Sequence, residues 1–266
     1  MAEGALGEPV MIRQSPRYPL RAVESYERAQ RVDATPILAT PTVPTSSVLP
    51  SVRGSRPYFS VCIAHIKGGV GKTTTSIYLG RELSALKLRV IWRDLDPQKS
   101  LTGILRLFGS TFLEDGTALY QERLALVPDG VHLPFLPHVE ILDTPPGLND
   151  AWPAIQRADG LIIPVKPALQ DILAVQEMLR LLADTRDQRQ LSAILGVLPT
   201  DWVARWPNQH ESLEQIRRIG RDFGVSVFEP IPQRPWVGTF SMRGRLWRDV
   251  ARVVAQQAAK VVGRAS

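Results

Sequence analysis

The chain has 266 residues, 44% of them hydrophobic, with one cysteine and a formal net charge of +6. That length holds one α/β domain or two small ones with a sizeable core, and a single cysteine excludes internal disulfides and a thiolate metal cluster. No stretch approaches the ~20 apolar residues of a membrane span and residues 1–30 lack a signal-peptide core, so a soluble cytoplasmic protein is expected, its basic balance suiting a polyanionic partner without identifying one.

Residues 1–56 read as a flexible N-terminal extension. Pro9, Pro16, Pro19, Pro36, Pro41, Pro44 and Pro50 break regular structure, and large apolar side chains are few. A short charged helix over 20–32 that orders on a partner protein or neighbouring subunit is compatible with this stretch, and so is a tail with no specific partner. Residues 57–266 read as one domain in which strand and helix signals alternate. The expected order is strand 58–65, helix 72–87, strand Leu88–Trp92, helix 98–108 and a less regular insertion over 109–137. Strands Val139–Leu142 and Gly160–Val165, helix 169–184, strand Ala193–Leu198, helix 209–223 and a terminal helix over 246–262 follow. Short apolar runs alternating with amphipathic helices predict a mostly parallel twisted sheet with helices on both faces. Ligands bind such sheets beyond the carboxyl ends of the strands. Cys62, inside the first of these strands, reads as a small buried apolar residue.

Between that strand and the first helix lies Lys67-Gly68-Gly69-Val70-Gly71-Lys72-Thr73-Thr74. A strand, a glycine-rich turn and a helix N-terminus form a phosphate cradle. Backbone N–H groups point into the turn, the helix dipole favours anions, and Lys72 adds a point charge. Thr73 supplies the hydroxyl that such loops place on Mg²⁺. The ordinary spacing G-x-x-x-x-G-K-[ST] requires glycine where this chain has Ile66, and a second lysine, Lys67, opens the loop. A P-loop also needs an acid at the end of another strand, which Asp143 of Leu142-Asp143-Thr144-Pro145-Pro146-Gly147 supplies. In Asp94-Leu95-Asp96-Pro97-Gln98 alternation places both carboxylates on one side of an extended segment, where one can orient a water against a γ-phosphate. Capping a helix that starts near Pro97 is the structural alternative, and Asp96 can do both.

These three motifs, in this order and spacing, resemble the ParA/MinD superfamily of deviant Walker A ATPases, and Asp-x-Asp-Pro-Gln is most similar to the ParA-type partition branch. The resemblance covers residues 58–262 and thins after 182. It implies a P-loop NTPase fold that binds ATP and Mg²⁺ through Lys67, Gly68, Gly69, Val70, Gly71, Lys72, Thr73 and Thr74. By the same resemblance Lys72 binds the β- and γ-phosphates, Thr73 and Asp143 hold the metal, and Asp96 positions the hydrolytic water. Lys67 matches the signature lysine that reaches across a nucleotide sandwich dimer to the partner's phosphates, so the homodimer depends on ATP. The stretches Val197–Asp201 and Pro230–Arg234 look similar to family segments that frame adenine. Pro232 either packs on the base or belongs to a proline-rich surface turn.

Arginines gather near the C-terminus: Arg217, Arg218, Arg221, Arg243, Arg245 and Arg248 are candidate DNA contacts, the alternative being a solvated basic surface. The resemblance implies nonspecific DNA binding by the ATP dimer, nucleoid association, and release when a ParB-like centromere-binding partner stimulates slow hydrolysis. The rival is an ATP-switched positioning or assembly protein acting on a protein cargo. A MinD-like membrane helix requires bulky apolar residues. The tail Val253–Val262 has small ones and is expected to pack on the sheet. Three departures from the branch stand out: a short segment between Gly103 and Asp143, Arg93 in a strand that is normally apolar, and Pro235–Phe240 in place of a Glu-Ala pair.

Overall fold

The computed structural model describes residues 56–107, 111–112, 117–121, 123–128, 131, 133–189, 192–233 and 247–265, together with the backbone of 10–12 and 15–17. The chain divides into two units, Met1–Leu49 and Pro50–Ser266. The first contains an antiparallel pair, β1 (Val10–Ile12) and β2 (Ser15–Arg17), which the sequence reading did not anticipate. The helix expected over 20–32 lies outside the described residues.

In the second unit the order is β3 (Phe59–Ile63), α1 (Lys72–Ala85), β4 (Val90–Asp94), α2 (Ser100–Leu107), β5 (Thr111–Phe112), β6 (Ala118–Gln121) and β7 (Leu124–Leu126). Then come β8 (Val139–Asp143), α3 (Leu148–Arg157), β9 (Gly160–Val165), α4 (Leu169–Arg189), β10 (Ala193–Pro199), α5 (Pro207–Asp222) and α6 (Arg248–Ala265). The described strands of this unit form one eight-stranded sheet, β10-β9-β3-β8-β4-β7-β6-β5. Pairing is parallel from β10 through β7, and β6 and β5 extend it antiparallel. The expected doubly covered, mostly parallel α/β sheet is thus present. The stretch over 109–137 is not the irregular insertion anticipated, because three short strands within it continue the sheet edge. Helix α3 was not anticipated either. Pro153 lies inside it, and a proline in a helix interior removes a hydrogen-bond donor, which masks the signal carried by Ala151, Ala154 and Ile155.

Strand alternation sends Val61, Ile63, Trp92 and Ile141 to one face, under α1, α2 and α6, and Cys62, Leu142 and Ile163 to the other, under α3, α4 and α5. The terminal helix packs through Val250, Ala251, Val254 and Ala258 into the first core, as expected for a tail with small apolar residues. Among the described residues no helix is long and apolar enough to cross a membrane. Because β8 lies between β3 and β4 while β9 flanks β3 on the other side, successive connections leave the centre in opposite directions. That switch point opens a crevice beyond the carboxyl ends of β3 and β8.

Arg93, the charged residue in an otherwise apolar strand, faces the second core and donates its Nε to Glu140 at 2.9 Å. Ser60 Oγ at 2.9 Å and Arg56 at 3.3 Å also reach the same buried carboxylate. A charge at that position is tolerated because it is paired and hydrogen-bonded.

Helix α1 seats on Trp92, whose Nε1 donates to Ser76 O at 2.8 Å and whose ring lies where a Cβ on Gly80 would come within 2.6 Å. Gly80→Ala is therefore expected to lower stability by about 1–3 kcal/mol, although alanine is the better helix former. Urea unfolding measures this. A variant as stable as the parent would mean that the indole yields freely.

Candidate functional site

The turn between β3 and α1 depends on two left-handed glycines, Gly69 (φ 75°) and Gly71 (φ 93°), the latter at the N-cap of α1. Nothing lies within 4 Å of where a Cβ on Gly69 would project, so backbone conformation, not crowding, calls for glycine there. The turn is tied down from several sides. Thr200 Oγ1 donates to Val70 O at 2.8 Å, Lys72 Nζ donates to Lys67 O at 3.1 Å, and Lys67 N–H donates to His65 Nδ1 at 2.9 Å.

Beneath the turn, the carboxylate of Asp143 is fully buried at the end of β8. Thr73 Oγ1 donates to one of its oxygens at 2.9 Å and Ser76 Oγ to the other at 2.8 Å. Ser76 was missed in the sequence, though its place one helical turn after Thr73 puts both hydroxyls on one face of α1. Burial pushes the Asp143 carboxyl up to about 7. The two hydroxyls and Lys72 pull it back, and Asp94, its register partner on β4, pushes the same way as burial. Burial lowers the Lys72 ammonium, opposed by Asp143 and Asp96.

The two carboxylates at the end of β4, Asp94 and Asp96, divide their work differently from the expectation. Helix α2 begins at Ser100, and it is Asp94 that holds its first turn, accepting from Thr102 N at 2.9 Å and Thr102 Oγ1 at 2.6 Å. Asp96 Oδ1 instead accepts from Gln98 N at 2.9 Å while its carbonyl accepts from Lys99 N, forming a turn ahead of the helix. Asp96 therefore does not cap α2. It stays buried, with its charge acting on Lys72.

A cavity of about 180 Å³ extends from Gly69, Gly71 and Thr74 to Ile231 and Pro232. Pro232 thus lines the same cavity as the glycine turn. Lys166 Nζ meets Asp201 Oδ2 at 2.9 Å on the rim of this cavity. Left-handed glycines at a helix start, a lysine among carboxylates and a cavity leading away from them fit a nucleotide phosphate tail. A buried carboxylate raised toward neutrality beside a threonine hydroxyl fits a hydrated divalent cation, whose remaining ligands would be water and phosphate. Among the described residues no three His, Cys, Asp or Glu side chains converge to hold a metal on their own.

Among the described residues, the candidate DNA contacts are divided between two helices. Arg217, Arg218 and Arg221 lie on α5, over the second core, whereas Arg248 begins α6, over the first, with its charge acting on Glu82. Arg217 is further engaged with Glu214 at 2.8 Å, and Arg243 and Arg245 lie outside the described residues.

The raised Asp143 carboxyl has a thermodynamic consequence. Its folded form binds a proton more tightly than the unfolded carboxyl near 3.9, so the group favours folding below that value and loses the advantage as pH rises toward about 7. Asp143→Asn removes the titration. Without nucleotide, its thermal midpoint is expected to gain on the parent's between pH 4 and 8. A constant difference across that range would show that the carboxyl is not desolvated.

The description "CobQ/CobB/MinD/ParA nucleotide binding domain" matches residues 61–247. Among curated relatives, the chromosome-partitioning ATPase Soj of Thermus thermophilus is 30% identical over 199 residues, covering 63% of this chain and 78% of Soj. A maintenance of carboxysome distribution protein A from Gloeobacter kilaueensis is 38% identical over 124 residues, covering 44% of this chain and only 53% of that protein. Among solved structures, a McdA–ATP complex from Cyanothece aligns with a TM-score of 0.58 at 19% identity, over 78% of this chain and 97% of the other. A putative plasmid partition protein from Borrelia burgdorferi bound to AMPPNP aligns with a TM-score of 0.57 at 19% identity, over 76% and 98%. The structural likenesses establish the fold, and the match over residues 61–247 establishes descent: the chain belongs to the CobQ/CobB/MinD/ParA nucleotide-binding domain family.

Proposed function

We propose that this protein is a ParA-type partition ATPase that binds ATP, pairs as a nucleotide sandwich dimer, holds DNA nonspecifically and lets go when a ParB-like partner stimulates slow hydrolysis. The observation that carries this reading is the placement of Lys67 at the mouth of a complete phosphate turn, with the lysine that serves the turn itself, Lys72, already fixed inside it. The Lys67 ammonium is not tied to the turn itself, its ion-pair partner being Asp171. It suits charge that builds on a partner's phosphates, in the manner of an arginine finger in trans.

In this reading Lys72 and the turn's N–H groups bind the β- and γ-phosphates, and Pro232 contributes the wall on which the base rests. Bound Mg²⁺, held by the Thr73 hydroxyl and through water by Asp143, would neutralise phosphate oxygens. Asp96, buried close enough for its charge to act on Lys72, orients the attacking water. Exposed Leu169 and Leu173, one turn apart on α4, add apolar area that a second copy can cover.

A second reading, an ATP-switched protein that positions a protein cargo, draws support from the carboxysome distribution proteins among the relatives. The two readings share the nucleotide chemistry and part over what the dimer carries.

Lys67→Ala is expected to abolish ATP-induced pairing in light scattering after size exclusion and to cut turnover about 100-fold. Normal pairing and hydrolysis would remove the trans role. DNA binding by the parent should require ATP and weaken steeply with salt, and Arg218→Ala with Arg221→Ala should reduce the log–log salt slope by roughly 1 per lost phosphate contact. An ATP dimer that ignores DNA at low salt would favour the protein-cargo reading.

A further inference from the structure

Lys67 is fixed unevenly. Its backbone is clamped from both sides, its N–H donating to His65 Nδ1 at 2.9 Å and its carbonyl accepting from Lys72 Nζ at 3.1 Å. Among the described residues the one polar contact of its side chain is the 2.5 Å ion pair between Nζ and Asp171 Oδ1 on the first turn of α4. The lysine side chain is 37% exposed and the aspartate 12%. The pedestal is therefore rigid, and only the four-carbon stem can move. His65 beneath it is fully buried and its Nε2 has no partner in the structure. Burial, followed by the Lys72 charge, lowers this imidazole to about 4. His65 is therefore a neutral and permanent acceptor for the Lys67 N–H, not a group that titrates in the working range.

We infer that Asp171 is a positioning residue for Lys67: it parks the ammonium within its own subunit and thereby sets the ATP concentration at which two copies pair. The inference rests on the trans role proposed for Lys67. An ammonium cannot stay bonded to Asp171 and also reach a neighbouring subunit's phosphates, so each subunit must break one ion pair before the dimer closes. Only the unparked fraction is competent, and because both subunits must be unparked, the apparent dissociation constant of the dimer rises by the inverse square of that fraction. A pair with one partner largely shielded from water lies above the weakest surface ion pairs in worth, so a shift of about three- to tenfold is expected. The same contact would keep Lys67 off its own nucleotide, so that a lone subunit with ATP bound turns over slowly.

Asp171 also sits where an acid favours the α4 dipole, a purely structural role that any test must separate. The first arm is lysine acetylation of the nucleotide-free protein, read by peptide mass spectrometry. Asp171→Asn is expected to raise the rate at Lys67 several-fold while rates at Lys87 and Lys260 stay constant, and Asp171→Glu should restore most of the protection. The second arm is the ATP midpoint for pairing, which Asp171→Asn should lower three- to tenfold. An unchanged Lys67 rate overturns the latch. So does an unchanged or raised midpoint in a variant that melts like the parent. If the parent fails to pair with ATP at any concentration, the proposed function falls and the latch has nothing to gate. The acetylation result would then still show whether Asp171 holds Lys67, so the two failures are distinguishable.

Discussion

Asp143 ends a central strand with its carboxylate fully buried, and the phosphate turn above it is arranged around keeping that group in place. Two hydroxyls from the first helix after the turn bond its two oxygens, so the start of α1 and the end of β8 are one rigid unit. Burying a carboxylate with only neutral donors is costly, and its upward shift toward 7 expresses that cost. The cost makes sense as preorganisation. A site that stores an under-compensated negative charge gains more from an arriving cation than a relaxed one would. The same tie explains why α1 must sit so close to the sheet that Gly80 meets the indole of Trp92 without a Cβ between them.

On the opposite face of the sheet a second buried acid, Glu140, is handled in the contrary way. Three arginines surround it: Arg93 at 2.9 Å, Arg56 at 3.3 Å and Arg157 at 3.9 Å. Arg93 also donates to Val127 O and Pro128 O. A fully paired cluster of this kind joins β4, β8, the end of α3 and the residue that leads into β3. Breaking it would leave a buried charge, which is why it reads as architecture. One strand, β8, thus carries a carboxylate on one face that is saturated with cations and a carboxylate on the other that is not. Only the unsaturated one faces the nucleotide edge.

Much of this was legible in the chain. The alternation of apolar runs with amphipathic segments gives the parallel sheet, and Lys67–Thr74, Asp94–Gln98 and Asp143–Gly147 place the site at its carboxyl edge. Elements failed where a local signal was masked or faint: Pro153 hid α3, and the two- to four-residue strands over 111–126 are too short to show a period. Residue roles failed where they depend on tertiary distance. Asp94 and Asp96 are both acids at a strand end, and only the observed start of α2 at Ser100 decides which one holds the helix. Asp171 lies 104 positions beyond Lys67 in the chain, and nothing local links them.

The arginines show most sharply why composition is a poor guide to a partner. Counterion release rewards phosphates neutralised on one contact surface, not cations summed over the chain. Of the described candidates, Arg248 is on the far face near Glu82 and Arg217 shares its charge with Glu214. Arg218 and Arg221 remain, both exposed on α5. Two arginines release roughly two counterions, too few to hold a polyanion firmly at physiological salt. Four in a dimer, on a common surface, change the exponent and not just the prefactor. Among the described residues the patch is modest, and for the proposed DNA interaction a modest patch suits ATP control: a richly basic face would bind DNA as a monomer, and pairing would then switch nothing.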